Sequence, residues 1–169
     1  AGIYTTCSSS EIQYIIDHAE ASVLLIENSE QWAKVRGELE RMPNLRHVVM
    51  MRGATVDDSM VMDWETFLSR GDETDTAVVE ERLSALKDDD LATFIYTSGT
   101  TGPPKAVMLT HRNLAWTAEL AVGMADMSSD FTAVSYLPLS HIAEQVFSIH
   151  APITAGSSVY FAQSLEKLP

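Results

Sequence analysis

The chain has 169 residues, 46% of them hydrophobic and 21% charged, enough for one domain with a sizeable core and too few for two. Its 24 acidic and 11 basic residues give a net charge of −13 and a pI near 4.6, which argues against nucleic acid or an anionic membrane as the main partner, since both reward clustered Lys and Arg. The single cysteine, Cys7, allows no internal disulfide, and no apolar run reaches membrane-spanning length, so a soluble, cytoplasmic setting is expected. The chain begins at Ala1 without a methionine and stops at Pro169, and both ends read as cuts in something longer.

In chain order, Ile12, Ile15, Ile16 and Ala19 recur at helical spacing, and Ser8 stands three residues before Glu11 as in a capping box. A short apolar strand, Ser22 to Glu27, is followed by an amphipathic helix with Asn28 as N-cap and Pro43 closing it. Leu45 to Arg52 reads as the next strand, and this alternation implies parallel pairing in an α/β sheet flanked by helices. Residues 53 to 90 are acidic and less regular, with short helices around DWETFLSR and VVEERLSALK; 53 to 75 are expected to be the least regular stretch. Asp88 to Asp90 reads as a solvated turn in preference to a metal site, because three adjacent carboxylates repel and cannot all face one ion.

The most strand-like segment, LATFIYTSG, empties into a run rich in glycine, proline and hydroxyl residues, after which a helix is expected from Thr110. A strand FTAVSYLPL, a helix HIAEQVFSIHAPITA and a strand SSVYFA complete the chain. Strand, flexible loop and helix together offer free backbone N–H groups at a sheet edge, and glycine lets that backbone come close to a ligand. Thr97, Ser98, Thr100 and Thr101 add hydroxyls and Lys105 adds a positive charge, a donor set suited to polyphosphate. It is not the common P-loop: Gly99 and Gly102 are three apart, and Pro103 and Pro104 precede the lysine.

The block YTSGTTGPPKAVMLTHRNL resembles the phosphate-binding signature of the adenylate-forming enzymes: acyl-CoA synthetases, luciferases and peptide-synthetase adenylation domains. SYLPLSHIAEQ is similar to the region where these enzymes set a histidine beside the acyl pocket, and it looks most like the long-chain fatty acyl-CoA synthetases. The opening AGIYTTCSSSEIQYIIDHAEASVLLIE resembles the bubblegum type of that subgroup, so the likeness runs over the whole chain in order.

The resemblance implies a mostly parallel α/β sheet belonging to the large N-terminal domain of an adenylate-forming enzyme. Residues 1–169 would be a fragment of that AMP-binding domain, with the C-terminal domain absent. It implies ATP and Mg2+, the metal's ligands lying mostly outside this stretch, and coenzyme A as co-substrate of a fatty acid. The parent would be a long-chain fatty acid–CoA ligase, with any peripheral membrane contact belonging to the parent, and this stretch alone would be inactive. Other readings are a ligase for an aryl, amino or medium-chain acid, or a non-catalytic phosphate-binding fragment. Thr97, Ser98, Gly99, Thr100, Thr101, Gly102, Pro103, Pro104 and Lys105 would hold the phosphates, with Lys105 the catalytic charge. Ala106 stands where the family usually has glycine, which is tolerable if φ stays negative there.

His141 has two readings: a capping or packed histidine, or by resemblance an acyl-pocket residue. Adjacent helical residues diverge by about 100°, which disfavours Ser140 and His141 as a nucleophile–base pair. Glu144 is expected to orient its segment, and no metal site is assigned. Tyr136, Phe147 and Ile149 are expected in the core. His18, His47, His111 and His150 are expected to be structural or exposed, and Cys7 inert.

Overall fold

A computed structural model describes residues 1–53, 56–97 and 103–168. By contacts the chain divides into two compact units where its length suggested one. One takes Thr5–Leu86 together with Pro103 and Pro104; the other takes Ala1–Tyr4, Lys87–Thr97 and the residues from Lys105 onward.

The Thr5–Leu86 unit opens with α1, Ser9–His18, whose capping box is formed as expected: Ser8 Oγ accepts the Glu11 N–H at 3.3 Å, and Glu11 Oε2 accepts the Ser8 N–H at 2.8 Å. Those two bonds satisfy N–H groups that a bare helix end leaves open. Strand β1, Val23–Ile26, follows, then α2, Ser29–Val35, capped by Asn28 Oδ1. A 3-10 turn, Arg36–Arg41, carries the chain to Pro43, and β2 is His47–Met50. The pairing of β1 and β2 is parallel, Val23 opposite His47 through Ile26 opposite Met50. Ile12, Ile15, Ile16, Trp32, Val35, Val48, Val49 and Met50 form the buried apolar core, and the buried amide of Gln13 donates to the Arg41 carbonyl at 3.0 Å.

In the stretch expected to be least regular, from 53 to 75, a strand and a helix begin at Val61 and Trp64. Strand β3, Val61–Asp63, adds in parallel to β2 and runs straight into α3, Trp64–Asp72, capped by Asp63 Oδ1 accepting the Thr66 N–H. Helix α4 is Thr76–Ala85.

The second unit holds β4, Leu91–Thr97, and β5, Lys105–Thr110, which pair antiparallel from Leu91 opposite Thr110 to Thr97 opposite Lys105. Then come α5, His111–Met124, and β6, Thr132–Ser135. The expected single helix from 141 to 155 is three segments: α6, Ile142–Gln145; a π turn, Val146–His150; and α7, Ala151–Ala155. The cause is Pro152, which has no N–H to give Ser148 and whose ring would strike that carbonyl in an unbroken α-helix. The Ala151 N–H bonds to the Val146 carbonyl, five residues back. Strand β7, Ser158–Phe161, pairs parallel with β6. Three of the four pairings among the described residues are parallel, so the mostly parallel α/β class holds.

Candidate functional site

Ser98, Gly99, Thr100, Thr101 and Gly102 lie outside the described residues, so the loop is defined here by its flanks. Thr97 is the last residue of β4 and Lys105 the first of β5, and they face each other across the ladder. The Thr97 hydroxyl reaches the Lys105 carbonyl at 3.4 Å, at the outer limit of a hydrogen bond. The segment after the glycine-rich run is thus a strand, not the expected helix, and it pairs antiparallel with the strand before the run; the N-terminus of α5 lies at the far end of β5. Lys105 is exposed and belongs to no ion pair among the described residues, which fits a lysine meant for an anionic ligand. Ala106 pairs with Tyr96, and positive φ among described non-glycine residues is confined to Glu20 and Asp126. Alanine at 106 is thus unstrained, as a strand residue should be.

The end of the β4–β5 pair next to α5 is fastened to that helix. The first N–H groups of that helix find acceptors outside it: His111 on the Asp90 carbonyl at 3.2 Å and Arg112 on the Asp88 carbonyl at 2.8 Å. Thr110 and Asn113 form a capping box. The Arg112 Nε bonds Asp89 Oδ1 at 2.9 Å, with Asp88 beside it, and this partnership holds the Asp89 carboxyl below its usual range. The aspartate run is a turn that receives a helix start and a guanidinium, roles that composition alone did not reveal.

His141 lies at the N-cap of α6, where Nδ1 accepts the Ala143 N–H at 3.2 Å. In the neutral ring this leaves the proton on Nε2, an exposed donor. Ser140 is buried beside it, its Oγ without a partner among the described residues, so the two do not form a nucleophile–base pair. Gly2 packs against this turn so closely that a Cβ would stand 2.7 Å from Ser140 Cα. Only glycine fits there.

Behind His141, Glu144 is 5% exposed. Its Oε1 accepts the Ser135 hydroxyl at 2.5 Å, the Ser148 hydroxyl at 2.8 Å and the Tyr136 N–H at 3.0 Å. Burial pushes the carboxyl up, but these donors and the Leu137 N–H outweigh it and hold it below its usual value. Sequence reading expected Glu144 to orient its segment but missed Ser135 and Ser148; the Glu144–Ser148 helical spacing was the available signal. Two expectations fail: Tyr136 and Phe147 are about half exposed, not core. Their neighbours turn the backbone, and aromatic character does not decide which face looks inward. Ile149 is intermediate and lines a cleft of about 520 Å3 between α5 and the π turn with His111, Gln145 and His150. Burial lowers the His150 pKa. On another side of α5, Leu120, Met124, Ile142, Val146 and Phe147 line an almost wholly apolar groove of about 550 Å3. Among the described residues no three His, Cys, Asp or Glu side chains cluster as metal ligands.

The family of AMP-binding enzymes matches residues 1–169. The chain belongs to the AMP-binding enzyme family. Among relatives of this chain is the long-chain-fatty-acid–CoA ligase ACSBG2 of Homo sapiens, 37% identical over 165 residues, covering 96% of this chain and 25% of the relative. The long-chain-fatty-acid–CoA ligase ACSBG1 of Homo sapiens is 33% identical over 167 residues, covering 96% and 23%. The chain thus spans about a quarter of the length of the curated relatives it matches. Among solved structures, an anthranilate CoA ligase in complex with anthranoyl-AMP superposes with a TM-score of 0.79 at 22% identity, over 98% of this chain and 31% of that one. The N-terminal domain of FACL13 from Mycobacterium tuberculosis gives 0.74 at 18%, over 96% and 37%. These likenesses establish the adenylate-forming N-terminal domain fold.

Proposed function

We propose that residues 1–169 are part of the large N-terminal, AMP-binding domain of an ATP-dependent long-chain fatty acid–CoA ligase. The observation that carries this reading is the end of the β4–β5 pair away from α5, where Thr97 opposite Lys105 brings a hydroxyl and an ammonium without an ion pair among the described residues to the two ends of the glycine-rich run. The identity to the two human ligases supports the choice of acid.

A carboxylate is a poor acyl donor. In the proposed first step its oxygen bonds to the α-phosphorus of ATP, the bond from that phosphorus to the bridging oxygen breaks, and pyrophosphate leaves with the electron pair. Negative charge grows on the leaving group, and a donor already aimed at it lowers the barrier without reorganising. Lys105 supplies that charge, and Thr97 with the loop residues Ser98 to Pro104 supplies hydroxyl and backbone donors. In the second step the thiolate of coenzyme A bonds to the acyl carbon and AMP departs. A bound divalent metal would neutralise phosphate charge, and no residue of this chain is assigned to it.

His141 is assigned to the acyl site, its Nε2–H offered to the acid while Nδ1 is occupied by the cap. The apolar groove that continues from Ile142 and Ala143 to Val146 and Phe147 suits an aliphatic chain.

The deciding experiment is ATP–pyrophosphate exchange by the full-length enzyme with a panel of carboxylic acids. Long saturated and monounsaturated acids are expected to drive exchange more strongly than aryl, amino or medium-chain acids. Preference for one of the latter would replace the substrate, and no acid-dependent exchange would remove the reading. The 169-residue stretch alone is expected to form no acyl-CoA.

A further inference from the structure

The corner joining β6 to α6 is fastened from behind and open in front. In front, Tyr136, Leu137 and Leu139 are each between 39% and 49% exposed, and His141 is exposed. Behind, one oxygen of buried Glu144 gathers the last residue of β6, the first residue of the corner and the π turn, through Ser135, Tyr136 and Ser148. Gln145 Nε2 adds a bond to the Leu139 carbonyl at 2.6 Å, and the His141 N–H bonds the Pro138 carbonyl at 2.9 Å. Burying a carboxylate is costly unless its lone pairs are occupied, and here three donors occupy one oxygen. Because those donors come from separate elements, the corner cannot shift without breaking a buried bond to a charged group.

We infer that Glu144 is a positioning residue for the acid substrate: its carboxylate pins Ser135, Tyr136 and Ser148, and so sets where the corner from Tyr136 to His141 stands. This rests on the ligase reading above for the substrate it names. Glu144 itself touches no reacting atom and acts through the corner it holds.

The test uses the full-length enzyme with Glu144→Gln, which keeps length and one acceptor oxygen but loses the charge, and Ser148→Ala, which removes a single tie and leaves the carboxylate. The apparent KM for the fatty acid in pyrophosphate exchange is expected to rise about tenfold in Glu144→Gln, with the KM for ATP within about twofold and kcat little changed. Ser148→Ala is expected to move the acid KM the same way by less. Amide hydrogen exchange supplies a readout independent of activity: Tyr136 and Leu137 are expected to exchange about tenfold faster in Glu144→Gln, while Ala133 in β6 is unchanged. Unchanged protection at Tyr136 and Leu137 would overturn the assignment. A fall in kcat at constant KM would overturn it too, since that is what general loss of folded enzyme produces, and so would equal rises in the KM for acid and for ATP, since the corner would then not act on the acid in particular. No acid-dependent exchange in the unsubstituted enzyme would end the ligase reading and the acid-site half of this inference. The protection measurement would still decide the pinning.

Discussion

Between Thr5 and Leu86 the buried side chains are apolar, with Gln13 the polar exception among the described residues, whereas from Lys87 onward Ser135, Ser140, Glu144 and Ser148 are buried. The first unit is held together by area removed from water, a force without direction that tolerates many arrangements. The second places a carboxylate, hydroxyls and backbone N–H groups where only one arrangement satisfies them all. It is also where Thr97, Lys105 and His141 are found. The contrast suggests that one unit supplies stability and the other supplies geometry, and substitutions can separate the two.

The largest expected effect is on stability. Trp32 is 5% exposed, and Trp32→Ala should cost about 4 kcal/mol in urea unfolding of the full-length enzyme while leaving the KM values for acid and ATP alone. A change in KM would break the division. Lys105→Ala should do the reverse: the urea midpoint stays put and the adenylation rate falls about a hundredfold, the equivalent of roughly 3 kcal/mol. The thioester step from added acyl-adenylate should be much less affected, because pyrophosphate has already left. Equal losses in the two half-reactions would mean that Lys105 supports structure.

A smaller effect is expected at Asn28, whose side chain accepts the Glu30 and Gln31 N–H groups at 3.0 and 3.2 Å; Asn28→Ala should cost about 1 kcal/mol with activity intact.

The smallest is a difference in acid sensitivity. The Glu144 carboxyl sits below its ordinary 4.5, so its contribution is complete above that value and is lost as pH falls through the lower folded one. His150, lowered from 6.5 by burial, has the same sign and begins to act as pH drops below 6.5. Glu11, Asp63 and Asp89 are lowered as well and remain in both proteins. Urea midpoints from pH 7 to 3 should therefore converge for the unsubstituted and Glu144→Gln enzymes at the acid end. Parallel curves would remove the charge from the account.

Much of the first unit was legible because its cues are local. Ser8 with Glu11, the isoleucines at 12, 15 and 16, and Asn28 before a helix each speak within one or two turns. Strand β3 escaped because three residues are too few to display a period of two. Strand β5 escaped because its partner is β4, across the loop, and because the strong helix start at Thr110 drew the reading past Lys105–Leu109. The site divides the same way. Lys105 and Thr97 were legible as chemistry, but their facing each other is a matter of pairing. Glu144 was legible as an orienting group. That its partner is Ser135, nine residues upstream in another element, is tertiary information.

The π turn makes the length of this segment as consequential as its composition. It takes up one residue more than α-helical winding needs between α6, which carries buried Glu144, and α7, which carries buried Ala151. A chain with one residue deleted between Val146 and His150 could close this turn to ordinary α-helical winding and keep both flanking helices in phase. A chain with one residue inserted there would have to widen the turn further or rotate one helix by about 100°, taking the carboxylate or Ala151 out of its packing. Among homologous chains, single-residue deletions in these five residues should therefore be better tolerated than insertions.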